Sequence, residues 1–354
     1  MAIQCAHCNV YACRAGRIDA APEGCPMQSG TFPGFEELYG TEDRRRMAYE
    51  SARIEAEGYC RWTRIREVLE FSRRMGYERL GIAHCADTAE LAARAARFLS
   101  SEGIETLLSP HPERCDPQGQ ADFLARSATD LNIICGMCVG HEAIFIRESQ
   151  APVTALVARD ARLRHNPVAA LYTSNSYYRS ALFERHRGHE KQPFQGAGNE
   201  VLERIADEIQ KAAGDDWCRV EEAMEVAHRL GAAHVGVTFC VGFRNEADRL
   251  ARVLEANGFR VTSACCKAGA VPKEELGIQD SEKVSPGQPE MICNPIAQAE
   301  LLNREGVEMT LLLGQCVGHD TATMAHLRSP AACLVVKDRV MAHNTVAALE
   351  EPHD

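Results

Sequence analysis

Apolar residues along the chain alternate between two periods. Over 43–57 and 62–75 they recur at the three- and four-residue spacing of one helical face. "RLGIA" (79–83) is then a short apolar run, which predicts a buried strand. "TAELAARAARFLSSEG" (88–103) returns to helical spacing and closes on a glycine, as helix C-termini do. "IETLLS" predicts a strand, 119–128 a helix, "LNIIC" a strand, a helix follows from about Gly140, and "PVTALVA" is a strand. The second half repeats the strands as "HVGVTF", "FRVTSA", "EMTLLL" and "AACLVV". Strands separated by helices imply βαβ units and a parallel sheet.

The repetition is also literal. "CVGHE" at 138–142 returns as "CVGHD" at 316–320, and residues 115–171 align without a gap on 293–349, with 21 of 57 positions identical. Upstream the shift falls from 178 to 155, where "LGIAHC" meets "VGVTFC", and further up "YCRW" (59–62) is set against "WCRV" (217–220) at a shift of 158. The chain therefore reads as two copies of one unit, the second carrying an insertion. The expected class is α/β: two tandem Rossmann-like parallel-sheet repeats behind a small cysteine-rich module. The expected boundaries are 1–42 for the module, 43–184 and 199–354 for the repeats, and 185–198 for a polar linker.

A length of 354 residues suits two domains, and a net charge of −11 argues against nucleic acid or an anionic membrane as partner. Arg44, Arg45 and Arg46 sit among carboxylates and read as a solvated face. The opening "MAIQCAHC" has neither the basic start nor the apolar run of a secretory signal, and no stretch approaches a membrane span, so a cytoplasmic location is expected. In that reducing setting, sixteen cysteines point to metal ligation or thiol chemistry rather than disulfides.

The repeat acts as an internal control. Cys135 faces Leu313 and Cys333 faces Ala155, so both read as core. Cys85/Cys240, Cys115/Cys293, Cys138/Cys316, His141/His319 and His165/His343 are paired, and so is Cys60/Cys218, which opens a helix. His165 and His343 read either as loop residues or as donors near the crevice, and Asn166 as a helix cap before Pro167. The paired cysteines fall at or after the carboxyl ends of strands, where parallel sheets bind ligands. In the second copy the crevice gathers Cys240, Cys265, Cys266, Cys293 and Cys316, with His319 one turn beyond. Cys240, Cys293 and Cys316, with Cys265 or Cys266, are candidate metal ligands. The spare thiol, taken as Cys266, is a candidate nucleophile, and His319 a candidate acid/base. In the first copy Cys85, Cys115 and Cys138 are candidate ligands with His84, His111 and His141 nearby. Pro110-His111 replaces Cys265-Cys266, so that site is either mixed Cys/His or decayed.

The start has the spacing C-x2-C-x4-C-x11-C-P over Cys5, Cys8, Cys13 and Cys25. With too few apolar residues for a core of its own, the segment needs a metal to order it, and four thiolates suit zinc or a [4Fe–4S] cluster. His7 reads as a bystander.

The motifs "CAHCNVYAC", "CCK", "CNPIAQAE", "GQCVGHD", "VVKDRV" and "HNTVAAL" resemble the family called domain of unknown function 1847, over nearly the whole chain. The resemblance implies metal binding without naming a reaction, and a duplication in which the first core lacks the "CC" pair. In plan the chain is also similar to quinolinate synthase and diphthamide synthase, whose repeats share one [4Fe–4S] cluster. The expectation is a cysteine-ligated metalloprotein, iron–sulfur ahead of zinc, with redox or sulfur-handling chemistry on a small molecule. A non-catalytic zinc sensor, metal chaperone or scaffold is the rival, since no Walker loop, G-x-G-x-x-G or Ser/His/Asp set is present. A metal-free thiol–disulfide enzyme stands third. The partner expected is a small molecule or metal, with homo-oligomerisation open.

Overall fold

The computed structural model describes residues 3–28, 32–110, 115–184, 193–194, 198–213 and 215–350. His111 and most of the expected linker lie outside the described residues. The first sheet is built from β1 (Arg79–His84), β2 (Glu105–Leu108), β3 (Leu131–Cys135) and β4 (Val153–Val157). The second is built from β5 (His234–Phe239), β6 (Arg260–Cys265), β7 (Met309–Leu313) and β8 (Ala331–Val335). Their orders, β2-β1-β3-β4 and β6-β5-β7-β8, are the same, and every pairing is parallel. Even the register slip recurs, between Ile134 and Cys135 and between Leu312 and Leu313. Central strands are buried along their whole length, which is why they read as continuous apolar runs rather than alternating ones.

The longer helices are α1 (Glu42–Glu57), α2 (Arg64–Met75), α3 (Ala89–Ser101), α4 (Pro117–Arg126), α5 (Val139–Glu148), α6 (Asn199–Ala213), α7 (Arg219–Leu230), α8 (Arg244–Ala256), α9 (Pro295–Glu305) and α10 (His319–His326). Two of their ends set the geometry of the site. Asp116 caps α4 by accepting from Gly119 N, and Asn294 caps α9 by accepting from Ala297 N, each with proline next. These caps hold the preceding residues, Cys115 and Cys293, at the mouth of their crevices.

The halves exchange helices. α1, from the first half, packs on α10 of the second, and α6 packs on α5 of the first. A Cβ on Gly318 would run into Ser51 of α1, and one on Gly140 would lie 3.0 Å from the Ala206 Cβ of α6. The repeated glycine of "CVGH" thus admits the exchanged helix. The core follows suit: Val139 and Ile144 of the first half share one cluster with Val201, Leu202, Val220 and Met224 of the second.

Two buried arginines cross with the helices. Arg64, 1% exposed, donates to Ala155 O at 3.0 Å and Gln315 O at 3.2 Å, and pairs with Asp320. Arg219, fully buried, donates to Cys333 O and Met137 O, both at 2.9 Å, and pairs with Glu142. The carboxylates of "CVGHE" and "CVGHD" are therefore the seats of the other half's arginine. This network also corrects the alignment of the helix starts. Arg64 matches Arg219, so Cys218, the buried N-cap of α7, corresponds to Thr63 and not to Cys60, which is exposed. The helices themselves are capped across the halves, Arg64 N donating to Asp338 and Arg219 N to Asp160. His165 and His343 brace those aspartates through Nδ1, at 3.2 Å from Asp160 N and Asp338 N. Asn166 does not cap through its side chain, whose Oδ1 has no partner.

Candidate metal centres

In the first half one strand end and two helix starts converge. Cys85 follows β1, Cys115 precedes the α4 cap, Cys138 is the N-cap of α5, and His141 lies one turn into it. Cys85, Cys115 and His141 place their ligand atoms within 4.8 Å of one another, and the Cys85 and Cys115 sulfurs are 3.9 Å apart. Cys138 hydrogen-bonds both Cys85 and His141. The Cys85 thiol, beside Cys115 and Cys138, is pushed well up, while its hydrogen bond pulls Cys138 well below the usual thiol range against burial. Burial opposes protonation of His141, but the Cys138 and Cys115 sulfurs raise it to about 11. His141 Nδ1 is buried with no hydrogen-bond partner. A zinc ion about 2.3 Å from each sulfur sets tetrahedral edges of about 3.8 Å, and Cys3His is a standard donor set for it. Cys85, Cys115 and His141 fit such an ion; Cys138 touches Cys85 and His141 but lies outside that group and would have to close in as the fourth donor. His84 is not among the donors; its Nδ1 lies 2.9 Å from Cys85 O.

The second half carries a different surrounding. Cys266 and Cys293 sulfurs are 3.8 Å apart, and Cys266 also hydrogen-bonds Cys240 and Cys265. Lys337 Nζ is 2.9 Å from the Cys240 sulfur and 3.5 Å from that of Cys316. Lys267 Nζ is 3.3 Å from Cys293, and Arg339 Nη2 is 3.2 Å from Cys316. Glu55, from exchanged helix α1, lies 3.8 Å from Cys316 and 2.8 Å from Arg339. Burial would raise its carboxyl, but Lys267, Arg339 and Lys337 hold it well below the usual range. Arg339 is also paired with Glu67 at 3.3 Å, and the three cations still outnumber the two carboxylates, which complements a group of thiolates.

Hydrogen bonds from Cys266 draw Cys240 and Cys293 down against burial, aided by Lys337 and Lys267. Cys266 is itself pushed well up, so it is the proton donor of the group. Burial raises Cys316 to about 12 despite Lys337 and Arg339. Burial also lowers His319 to about 3, keeping its imidazole neutral, and its Nδ1 has no hydrogen-bond partner.

The amino-terminal cysteines do not stand apart. Gln4 bridges in parallel to Ser263 of β6, Ser263 N donates to Ile3 O, and Ala6 N donates to Ser263 Oγ, both at 2.8 Å. This seats Cys5 beside Cys265, whose backbone N–H reaches the Cys5 sulfur. Cys13 hydrogen-bonds the Cys265 thiol, and Cys8 and Cys25 lie in the same neighbourhood of charge. His7 is paired instead with Asp248 and Glu255 of α8.

Sequence reading had not placed Glu55, Lys267, Lys337 or Arg339 in the site. The signal for three of them was available, since "CCK" contains Lys267 and "VVKDRV" contains Lys337 and Arg339. Glu55 left no signal, because helix exchange alone brings it there. Cys135 and Cys333 are buried within strands, as core. Among the described residues, no helix is long and apolar enough to cross a membrane.

Residues 26–109, 108–156 and 181–334 match the family described as "Protein of unknown function (DUF1847)". An uncharacterized protein of Methanocaldococcus jannaschii is 37% identical over 131 residues, which span 37% of this chain and 66% of that protein. Among solved structures, Dph2 from Pyrococcus horikoshii with a 4Fe-4S cluster aligns over 83% of this chain and 93% of its own, at 14% identity and a TM-score of 0.24. An aspartate racemase homologue from the same organism aligns over 77% and 100%, at 14% identity and a TM-score of 0.20.

Proposed function

The chain belongs to the DUF1847 family, and we propose that it is a cysteine-ligated metalloprotein with two unlike centres. In this reading Cys85, Cys115, Cys138 and His141 hold one ion in a closed site that steadies the first half. Cys240, Cys266, Cys293 and Cys316 hold a thiolate-bound centre in the second half, where redox or sulfur-handling chemistry on a small molecule takes place. The observation that carries the proposal is the Cys85/Cys115/His141 group, three ligand atoms from three separate elements within 4.8 Å. Packing alone rarely brings two thiols and an imidazole together in the interior.

The cationic shell of the second centre supports a negatively charged metal–thiolate group there. An iron–sulfur cluster would supply electron transfer, and zinc would supply an activated thiolate. Lys337 and Lys267 would hold the thiolates deprotonated, and Glu55 would position Arg339 over Cys316. A zinc-only, non-catalytic binding protein is the second reading. It is favoured by the Cys266–Cys293 separation of 3.8 Å, the edge of a tetrahedron around a single ion.

The test is an anaerobic purification with iron, sulfide and zinc measured on one sample. Zinc lost on Cys115→Ser, with iron and sulfide lost on Cys293→Ser, supports two unlike centres. Zinc alone at both supports the second reading. A metal-free protein overturns both.

A further inference from the structure

Cys265 and Cys266 are adjacent, yet their partners differ. Cys265 is the last residue of β6 and touches the amino-terminal segment, through the Cys13 thiol and through its own N–H to Cys5. Cys266 turns to the crevice, 3.8 Å from Cys293, with its sulfur accepting from Val241 N at 3.2 Å. The two thiols also hydrogen-bond each other, and beyond that shared contact Cys265 reaches the amino-terminal segment and Cys266 the crevice, so one dipeptide can serve two neighbouring sites at once. We propose that the Cys265-Cys266 dipeptide is shared between two metal centres, Cys265 joining Cys5 and Cys13 in an amino-terminal one and Cys266 joining Cys240 and Cys293 in the second-half one. The proposal rests on the metalloprotein reading above and adds a third centre to it.

The first half supplies the comparison. It has Pro110 and His111 where the second has the pair. Among the described residues its edge strand β2 has no docked segment, whereas β6 bridges to Gln4. The second thiol thus occurs where the amino-terminal segment docks. Cys265 would bring a thiol of the second sheet to the amino-terminal cysteines. Metal there fastens residues 3–28 to β6, beside the crevice whose Lys267 directly follows the pair.

The test uses the full chain, purified anaerobically, with Cys13→Ser, Cys265→Ser, Cys266→Ser and Cys293→Ser compared for metal content. Zinc retained at the Cys85 centre and an unchanged circular dichroism spectrum serve as controls for folding. The expected result is that Cys13→Ser and Cys265→Ser lose the same metal, while Cys266→Ser and Cys293→Ser lose another. Limited proteolysis should cut the amino-terminal segment at least tenfold faster in the first two variants only. If Cys265→Ser and Cys293→Ser lose the same metal and Cys13→Ser leaves it in place, the sharing is overturned and the metalloprotein reading stands. If all four keep the unaltered protein's metal and proteolysis rate, the sharing falls together with the assignment of metal to the second half.

Discussion

The Arg64 guanidinium of the first half closes on the Asp320 carboxylate of the second, one residue beyond the histidine of the repeated motif. Both side chains are almost wholly buried, and Thr154 and the Ala155 N–H complete the shell of the carboxylate. Arg219 and Glu142 repeat the arrangement in reverse. The two halves are thus locked directly beneath both candidate centres.

Removing one partner leaves a buried charge unpaired. Arg64→Met should cost about 3–5 kcal/mol of stability. Adding Asp320→Leu should recover most of that loss, because the stranded charge is gone. Urea denaturation of the single and double variants checks this; equal stability of the two would contradict it.

Gly318 has φ 77°, and Ser51 and Phe71 occupy the space a Cβ would need. Gly318→Ala should destabilise by about 1–3 kcal/mol through overpacking against the exchanged helix. Ser51→Gly, which removes the nearest obstruction, should return part of it. Thermal unfolding of the three proteins is the measurement.

The histidines of the repeated motif should differ in role. His141 shares ligand distance with Cys85 and Cys115, whereas the main charges acting on His319 are those of Glu55, Lys267, Lys337 and Lys273 rather than a thiol. His141→Ala should therefore lose the zinc of the first centre, and His319→Ala should keep all metal. Elemental analysis decides; metal loss from His319→Ala alone would reverse the assignment.

Glu67 offers a pH-dependent readout. Burial raises its carboxyl to about 7, opposed by Arg339 and Arg64. A folded value above the ordinary 4.5 means its contribution is fully present below about 4.5 and is lost as pH rises through about 7. Glu67→Gln, which cannot ionise, should match the unaltered protein at acid pH and exceed its stability above pH 7. Denaturation curves at pH 5 and pH 8 test the sign.

Lys337 lies against two thiols, so Lys337→Met should weaken the second centre and leave the first intact. A tenfold faster loss of metal to a chelator, about 1.4 kcal/mol, is expected for the Cys293-dependent metal only.

Much was legible without a structure. Short apolar runs between amphipathic stretches, each too short for a helix of ordinary length, pointed to buried strands of a parallel sheet, although the edge strand β2 proved largely unburied. Because a strand's end is a position in the sequence, Cys85, Cys115 and Cys138 could be placed at one crevice before any coordinates. The duplication was legible for the same reason, since 21 identities over 57 positions survive in linear order. What the tertiary structure decided was everything that crosses between the halves. Helix exchange is a choice among packings that bury nearly the same apolar faces, and local spacing cannot distinguish them. That choice carried Glu55 to Cys316 and Arg64 to Asp320, and laid the amino-terminal cysteines on β6 beside Cys265. It also made the first half, short of a "CC" pair, the place where three ligand atoms come closest. Distances between side chains from separate elements depend on how those elements pack, and only the folded chain specifies them.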